Sequence, residues 1–413
     1  MKSDLDALME ARGLDGLIAW VEEVYSPPVD YLTNGARITQ GLVIRKRGAQ
    51  PLLVANPMEV EEAAKSGLEV VTLTDLGFYD LLETLKDREQ ATVQAWGRAL
   101  ERAGLSSGTL ALYGTADVQK AVALVRAIES ALPQYRFFAE TGINSRDLFA
   151  EAYSTKGDDE LRRLRSVAAR TDEVLQATWD YIASHRLDGE RVVDSAGQPL
   201  TIGDVKRFVR RALLDRDLED TDMIFAQGRD AGFPHSRGEE DAELVSGLPI
   251  VFDLFPREFG GGFFHDVTRT WAPGYARPEV QQIYDQVMDA YDVAVESYRP
   301  GMPTKGMQIA VMDYFEGNGH PTSRSAPGTN EGYTHSLGHG IGLNIHERPG
   351  IGHLSPDTFE PGNVITIEPG LYYPEREIGV RVEDSLYIDA SGQLLPLTTF
   401  KKDLVIPLKQ MGE

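Results

Sequence analysis

THSLGHGIGLNIHERPGIGH, residues 334–353, holds His335, His339, His346 and His353, half of the chain's eight histidines. Within it, HSLGH has the two-histidine spacing of a zinc-binding helix. Ser336 stands where that motif carries a glutamate, and Gly338 and Gly340 disfavour a helix. The run therefore reads as a strand or loop entering a site. GHGIG lacks the Lys-Ser/Thr ending of a phosphate-binding loop and is a weak match to one.

Runs with paired carboxylates lie on either side. LPIVFDLFPREFGGGFFHDVTRTW (248–271) reads as two strands around Gly260–Gly261–Gly262, with Asp253 in the first strand and Asp266 in the second. NVITIEPGLYYPEREIGVRVEDSLYI (363–388) has the same plan, with Glu368 and Glu383. A carboxylate buried among apolar residues is costly unless it is paired or bound to a cation. One such acid usually meets an arginine, but four in two matched hairpins call for a shared cation. Their similarity also points to an internal duplication. Four carboxylates and one imidazole suit two divalent ions about 3.5–4 Å apart. Oxygen-rich ligation favours Mn²⁺, and the histidine admits Co²⁺, Fe²⁺ and Zn²⁺. Strand alternation puts Arg381, Glu383 and Ser385 on one face and Val380, Val382 and Asp384 on the other. Alternation alone does not say which face is inside.

Beyond these hairpins, 413 residues allow two domains. A net charge of -23 argues against nucleic-acid or anionic-membrane binding. With no cysteine, disulfides and thiolate metal sites are excluded. No apolar run approaches the ~20 residues of a membrane span, and the start shows no apolar core of signal-peptide length. The expected compartment is the cytoplasm.

Residues 1–154 alternate strands with helices. LIAWV (17–21), the hairpin GLVIRKRG/PLLVANP (41–57) joined at Gly48, EVVTL (69–73) and TLALYG (109–114) read as strands, which predicts an α/β domain without histidine. A break at Thr155-Lys156-Gly157 precedes a long amphipathic helix, so the second domain is expected over 155–413. Three further helices are expected at 203–216, from Pro278, and at 304–317.

The ordered set Asp253, Asp266, His339, Glu368 and Glu383 resembles the metallopeptidases of the pita-bread fold, and most closely their Xaa-Pro branch, prolidase and aminopeptidase P. FPHSRG, DVTRTW, HSLGHGIGLNIHE, ITIEPGLYY and GVRVEDSLYI carry the match. The resemblance implies an α/β N-terminal domain of creatinase type followed by an α+β catalytic domain. It implies two divalent ions held by those five residues and selects Glu383 over Asp384. It also implies a homodimer and substrates that are proline-containing dipeptides or short peptides. His235, His335 and His346 match the three substrate-side histidines of the proline-specific branch, and Arg381 matches its active-site arginine. Glu368 is the implied proton shuttle, ionised beside the cations, while the substrate-side histidines are expected to titrate near neutrality. Leu254-Phe255 stands where the family often has a small glycine, and His265 precedes Asp266.

Blander readings stand beside these. His235 alone reads as a surface or capping residue, and His346 as part of a surface ion-pair cluster with Glu347 and Arg348. Arg381 alone reads as a partner of Glu377 or Asp384, while His320 and His353 read as structural. The alternatives at protein level are a non-catalytic binding protein on the same fold and a metal-free creatinase-like hydrolase. The sequence leaves dipeptidase and aminopeptidase both open.

Overall fold

Asp87 and Asp117 each accept a hydrogen bond from the backbone N–H three residues on, and so start the helices Arg88–Arg102 and Val118–Ala131. These helices belong to the first of two compact units in the computed structural model, which describes residues 4–138, 140 and 146–412. The units are Met1–Ala152 and Tyr153–Glu413, so the division falls two residues before the expected boundary. In the first unit, strands β1 (Gly16–Glu22), β2 (Gln40–Lys46), β3 (Leu52–Ala55), β4 (Glu69–Thr72), β5 (Gly108–Thr115) and β6 (Tyr135–Phe137) form one sheet. Its order is β4-β3-β2-β1-β5-β6. The β2/β3 hairpin is antiparallel, as Gly48 implied, while β1/β5, β3/β4 and β5/β6 are parallel. Ile18, Ile44, Val54, Trp96 and Leu100 share its core.

The second unit begins with the helix Asp158–Ala183, whose buried face runs from Leu164 through Val167, Val174 and Leu175 to Ile182. The strands that position the site are β7 (Ile224–Gln227), β8 (Ile250–Leu254), β9 (Val267–Pro273), β10 (Gly338–Gly340), β11 (Glu347–Ile351), β12 (Val364–Ile367), β13 (Gly370–Tyr373), β14 (Ile378–Arg381), β15 (Asp384–Ile388), β16 (Leu394–Pro396) and β17 (Val405–Ile406). One sheet has the order β7-β8-β9-β17 and another the order β11-β10-β12-β15-β16, with β13/β14 as a separate hairpin. The helices Pro278–Ser297 and Lys305–Gly317 share a core with these strands, through Val287, Tyr291, Val311, Phe315, Ile365 and Val382. Among the described residues no helix is long and apolar enough to cross a membrane.

The acids do not all sit inside strands, as the hairpin reading expected. Asp253 lies in β8 opposite Thr268 of β9. Asp266 comes one residue before β9, Glu368 one after β12, and Glu383 one before β15. The cause is local. Pro369 has no N–H to continue the ladder after Glu368. Glu383 leaves its own hairpin and donates its backbone N–H to Thr268 O at 3.0 Å, so the two hairpins meet at this bridge.

Alternation sorts the neighbouring side chains. In DVTRTW, Thr268 and Thr270 turn toward Glu383 and Arg381. Arg269, between them, turns the other way. Its guanidinium pairs with Asp384 at 2.8 Å, both side chains almost fully buried, and donates to the carbonyls of Glu383 and Phe400. Tyr291 also donates to Asp384, at 2.8 Å. Arg269 thereby fastens β9 to the start of β15 behind the acids. Breaking a buried ion pair from one side typically costs about 3–5 kcal/mol. Arg269→Leu is expected to destabilise the second unit by that amount in urea unfolding, and a loss below about 1 kcal/mol would contradict this role.

Candidate metal centre

His339 occupies a three-residue strand between two others, and its glycine neighbours explain how. A Cβ at Gly338 would run into the Thr366 carbonyl, and one at Gly340 into the Arg348 backbone. Bare glycines therefore let β11 and β12 close on the histidine from both sides. The ring's Nδ1 lies 3.0 Å from Gly340 O, so Nδ1 carries the proton and the Nε2 lone pair points away. Nε2 faces Asp266 Oδ2 and Glu368 Oε1, each at 3.6 Å. Ligand-type atoms of Asp266, His339 and Glu383 all lie within 4.8 Å of one another.

Among the described residues, three buried carboxylate oxygens of this cluster have no hydrogen-bond partner: Asp253 Oδ1, Asp266 Oδ1 and Glu383 Oε1. Native proteins seldom leave such atoms orphaned. Burial, then the charges of Glu383, Asp253 and Glu368, push the Asp266 carboxyl well above the usual range. Burial, then Glu368 and Asp253, do the same to Glu383. Glu368 is pushed up to about 8 by burial; Arg381 opposes the rise and Asp253 adds to it. A divalent cation reverses this logic, because it favours the ionised forms. Oxygen donors with one neutral imidazole are also the set that hard and borderline divalent ions take. These residues fit a metal.

Arg381 carries the positive charge within the cluster. It donates to Asp253 Oδ2 at 2.5 Å, Thr268 Oγ1 at 3.1 Å, Tyr372 Oη at 2.9 Å and Pro234 O at 3.2 Å. Neither partner in the blander reading holds it: Glu377 pairs with Arg277, and Asp384 with Arg269 and Lys402. Thr268 in turn donates to Glu383 Oε2 at 2.8 Å. Tyr372 stands 2.8 Å from His335 Nε2, while His335 Nδ1 stands 2.8 Å from Ser336 O. The chain of donors therefore runs Arg381 to Tyr372 to His335 to a backbone carbonyl, and fixes the tautomer of His335.

His346 packs edge-on against His339, with ring centroids 4.5 Å apart. It is not part of a surface ion-pair cluster. Glu347 is buried against Lys156 at 2.7 Å, and Arg348 pairs with Asp357. Burial, with Arg381 and His235 adding to it, lowers His335 to about 3. Burial, then His235, holds His346 below its ordinary value. Titration near neutrality, expected from the sequence, is therefore corrected for His335 and His346: the site keeps these two imidazoles neutral. His235 lies near enough for its charge to count against both rings. His320 bonds Tyr373 and Gln286 instead. His265, before Asp266, is buried against Thr398.

Thr268 and Tyr372 lie inside quoted motifs but carried no signal of their own, since both types are ordinary strand residues. The spacing Asp266-Thr268-Thr270, all on one strand face, was the available clue.

The model of metallopeptidase family M24 matches residues 162–390. The chain belongs to that family. Divalent-metal binding comes with membership. It is 35% identical over 193 residues to the uncharacterized peptidase YqhT of Bacillus subtilis, covering 46% of this chain and 50% of that one. It is 34% identical over 174 residues to the Xaa-Pro dipeptidase of Pyrococcus furiosus, covering 41% and 45%. The aligned segments thus span about half the length of these relatives. Among solved structures, the Xaa-Pro dipeptidase from Bacillus anthracis superposes with TM-score 0.73 at 22% identity, covering 98% of both chains. The X-Pro aminopeptidase from Thermotoga maritima gives 0.75 at 19%, covering 97% and 99%. The architecture is the expected one: an α/β N-terminal unit and an α+β pita-bread unit.

The shifts set a stability test with a definite sign. A carboxyl whose folded pKa is raised contributes stability that is lost as pH rises through that value. Histidines with lowered pKa act oppositely, but only up to their ordinary 6.5. Between 6.5 and the value of about 8 for Glu368, only the carboxyl effect remains. The chelated protein is expected to melt at progressively lower temperature across this window, and saturating Mn²⁺ to abolish the slope. A flat profile without metal would contradict the shared-charge reading.

Proposed function

We propose that this chain is a peptidase that uses two divalent ions to hydrolyse the peptide bond before proline, in dipeptides or short peptides. The observation that carries the reading is the gathering of ligand-type atoms of Asp266, His339 and Glu383 within 4.8 Å of one another, in a cluster where carboxylate oxygens of Asp253, Asp266 and Glu383 are left without a partner. Asp253, Asp266, His339, Glu368 and Glu383 would hold the ions, with Mn²⁺ the first choice and Co²⁺, Zn²⁺ or Fe²⁺ as substitutes. Ions bound there supply Lewis acidity and a hydrolytic nucleophile at neutral pH.

The chain's own residues do the rest. Glu368 takes up a proton at a carboxylate oxygen and returns it to the leaving proline nitrogen. Both ring nitrogens of His335 are occupied, so it shapes the pocket. His346 has no hydrogen-bond partner among the described residues, so its ring N–H is available to the developing oxyanion. Arg381 spends its donors on Asp253, Thr268, Tyr372 and Pro234, and so acts by holding Asp253. His235, beside both substrate-side rings, would orient the peptide. Proline has a fixed φ and no backbone N–H, so main-chain recognition fails there and a dedicated pocket is needed. The Xaa-Pro dipeptidase among the relatives supports this substrate class. A homodimer in the cytoplasm completes the proposal, and light scattering tests the dimer.

Ala-Pro is expected to be cleaved with added Mn²⁺ and Ala-Ala left intact; equal rates would overturn the proline assignment. Turnover of Ala-Pro-Ala separates aminopeptidase from dipeptidase. Glu368→Gln keeps the shape but cannot take the proton, and should lose turnover by roughly 10²–10⁴. Near-normal turnover with metals fully loaded would make Glu368 a ligand only. Asp253→Asn should abolish activity, read together with metal content.

A further inference from the structure

Lys156 lies at the start of the second unit, 191 residues from Glu347, yet its ammonium meets the Glu347 carboxylate at 2.7 Å. Both side chains are only 2% exposed. The same ammonium donates to Tyr153 O at 2.7 Å, and the Lys156 backbone N–H donates to Gly362 O at 2.8 Å, just ahead of β12. Lysine is among the residues least often buried, and does so when paired.

The other oxygen of Glu347 organises the turn that carries His346. Asn344 N donates to Glu347 Oε1 at 2.9 Å, and the Asn344 side-chain amide reaches it at 3.4 Å. Gly342 lies against the same carboxylate, so close that a Cβ there would run into it. The turn from Gly342 to Glu347 is thus folded around one carboxylate, and Lys156 holds that carboxylate in place. The ladder completes the arrangement. Glu347 of β11 pairs with Gly340 of β10. His339 directly precedes Gly340, and His346 directly precedes Glu347. In this antiparallel register His339 and His346 are diagonal neighbours whose rings meet edge to edge with centroids 4.5 Å apart, and the buried ion pair anchors the turn that brings His346 there.

We infer that Lys156 is a positioning residue, which fixes His346 against His339 through its buried ion pair with Glu347. The inference rests on the proposed role of His346 toward the substrate. Removing the ammonium leaves a buried carboxylate without its cation, so the turn must open to hydrate it. His346 moves with the turn, while the five proposed ligands keep their own supports.

Two measurements test this on the full-length, metal-loaded protein. The first is a kinetic cycle on Ala-Pro. Lys156→Met should lower kcat by roughly 10- to 100-fold with metal content unchanged, as loss of an outer support typically does, and Lys156→Arg should recover most of it. In a His346→Ala background the same Lys156→Met change should cost almost nothing, because the group it positions is gone. An equal loss in both backgrounds would overturn the inference. The second is the crystal structure of Lys156→Met. If that variant fails to fold, Lys156→Met/Glu347→Leu replaces it, since no uncompensated charge remains. The His346 ring is expected to leave its edge contact with His339, and a ring in its wild-type place would overturn the inference. A wild-type protein inactive on Ala-Pro would sink the proposed function, and the ring position would then decide the role of Lys156 alone.

Discussion

Asp253, Asp266, Glu368 and Glu383 bring carboxylates into one buried space, and Arg381 is the cation that meets them there. Like charges at such range cannot all persist in a protein interior. The chain on its own resolves this by protonation, which is what the raised values of Asp266, Glu368 and Glu383 express. Cations resolve it in the other direction. Much of the second unit's local geometry follows from preparing that second solution: a histidine with its lone pair outward, glycines that let two strands crowd it, and strand ends that leave acids outside the ladder.

What surrounds the acids divides by strand face. On the site face, Thr268, Tyr372 and Arg381 orient Glu383, His335 and Asp253 through hydrogen bonds. On the opposite face, Arg269 and Asp384 form a buried pair that joins the hairpins. A second buried pair, Lys156 with Glu347, secures the turn beside the histidines. Breaking either pair from one side is costly, but a whole buried pair adds little net stability over apolar residues of similar volume. Their value lies in geometry, because a metal or a substrate tolerates small displacements poorly.

The ligand set was legible because metal chemistry restricts residue type, and the apolar flanks of each acid marked it as buried. The first unit's hairpin was legible through Gly48 and the alternation around it. The strand breaks at the acids were not. Alternating apolar residues run straight through Glu368 and Glu383, and only Pro369 hinted that the ladder stops. Lys156 read only as part of the break before the long helix, and nothing in sequence joins it to Glu347, 191 residues away. The protonation of His335 and His346 was not legible because burial of both rings, the Arg381 charge at His335 and the charge of His235 on both depend on tertiary placement.

The central claim is that the orphaned oxygens of Asp253, Asp266 and Glu383 are metal-ligand atoms. Anomalous diffraction from crystals grown with Mn²⁺ tests it most directly. The account predicts two peaks enclosed by Asp253, Asp266, His339, Glu368 and Glu383, with Asp253 Oδ1, Asp266 Oδ1 and Glu383 Oε1 turned toward them. A well-ordered site with no peak at saturating Mn²⁺, or peaks bound by other residues, would contradict it.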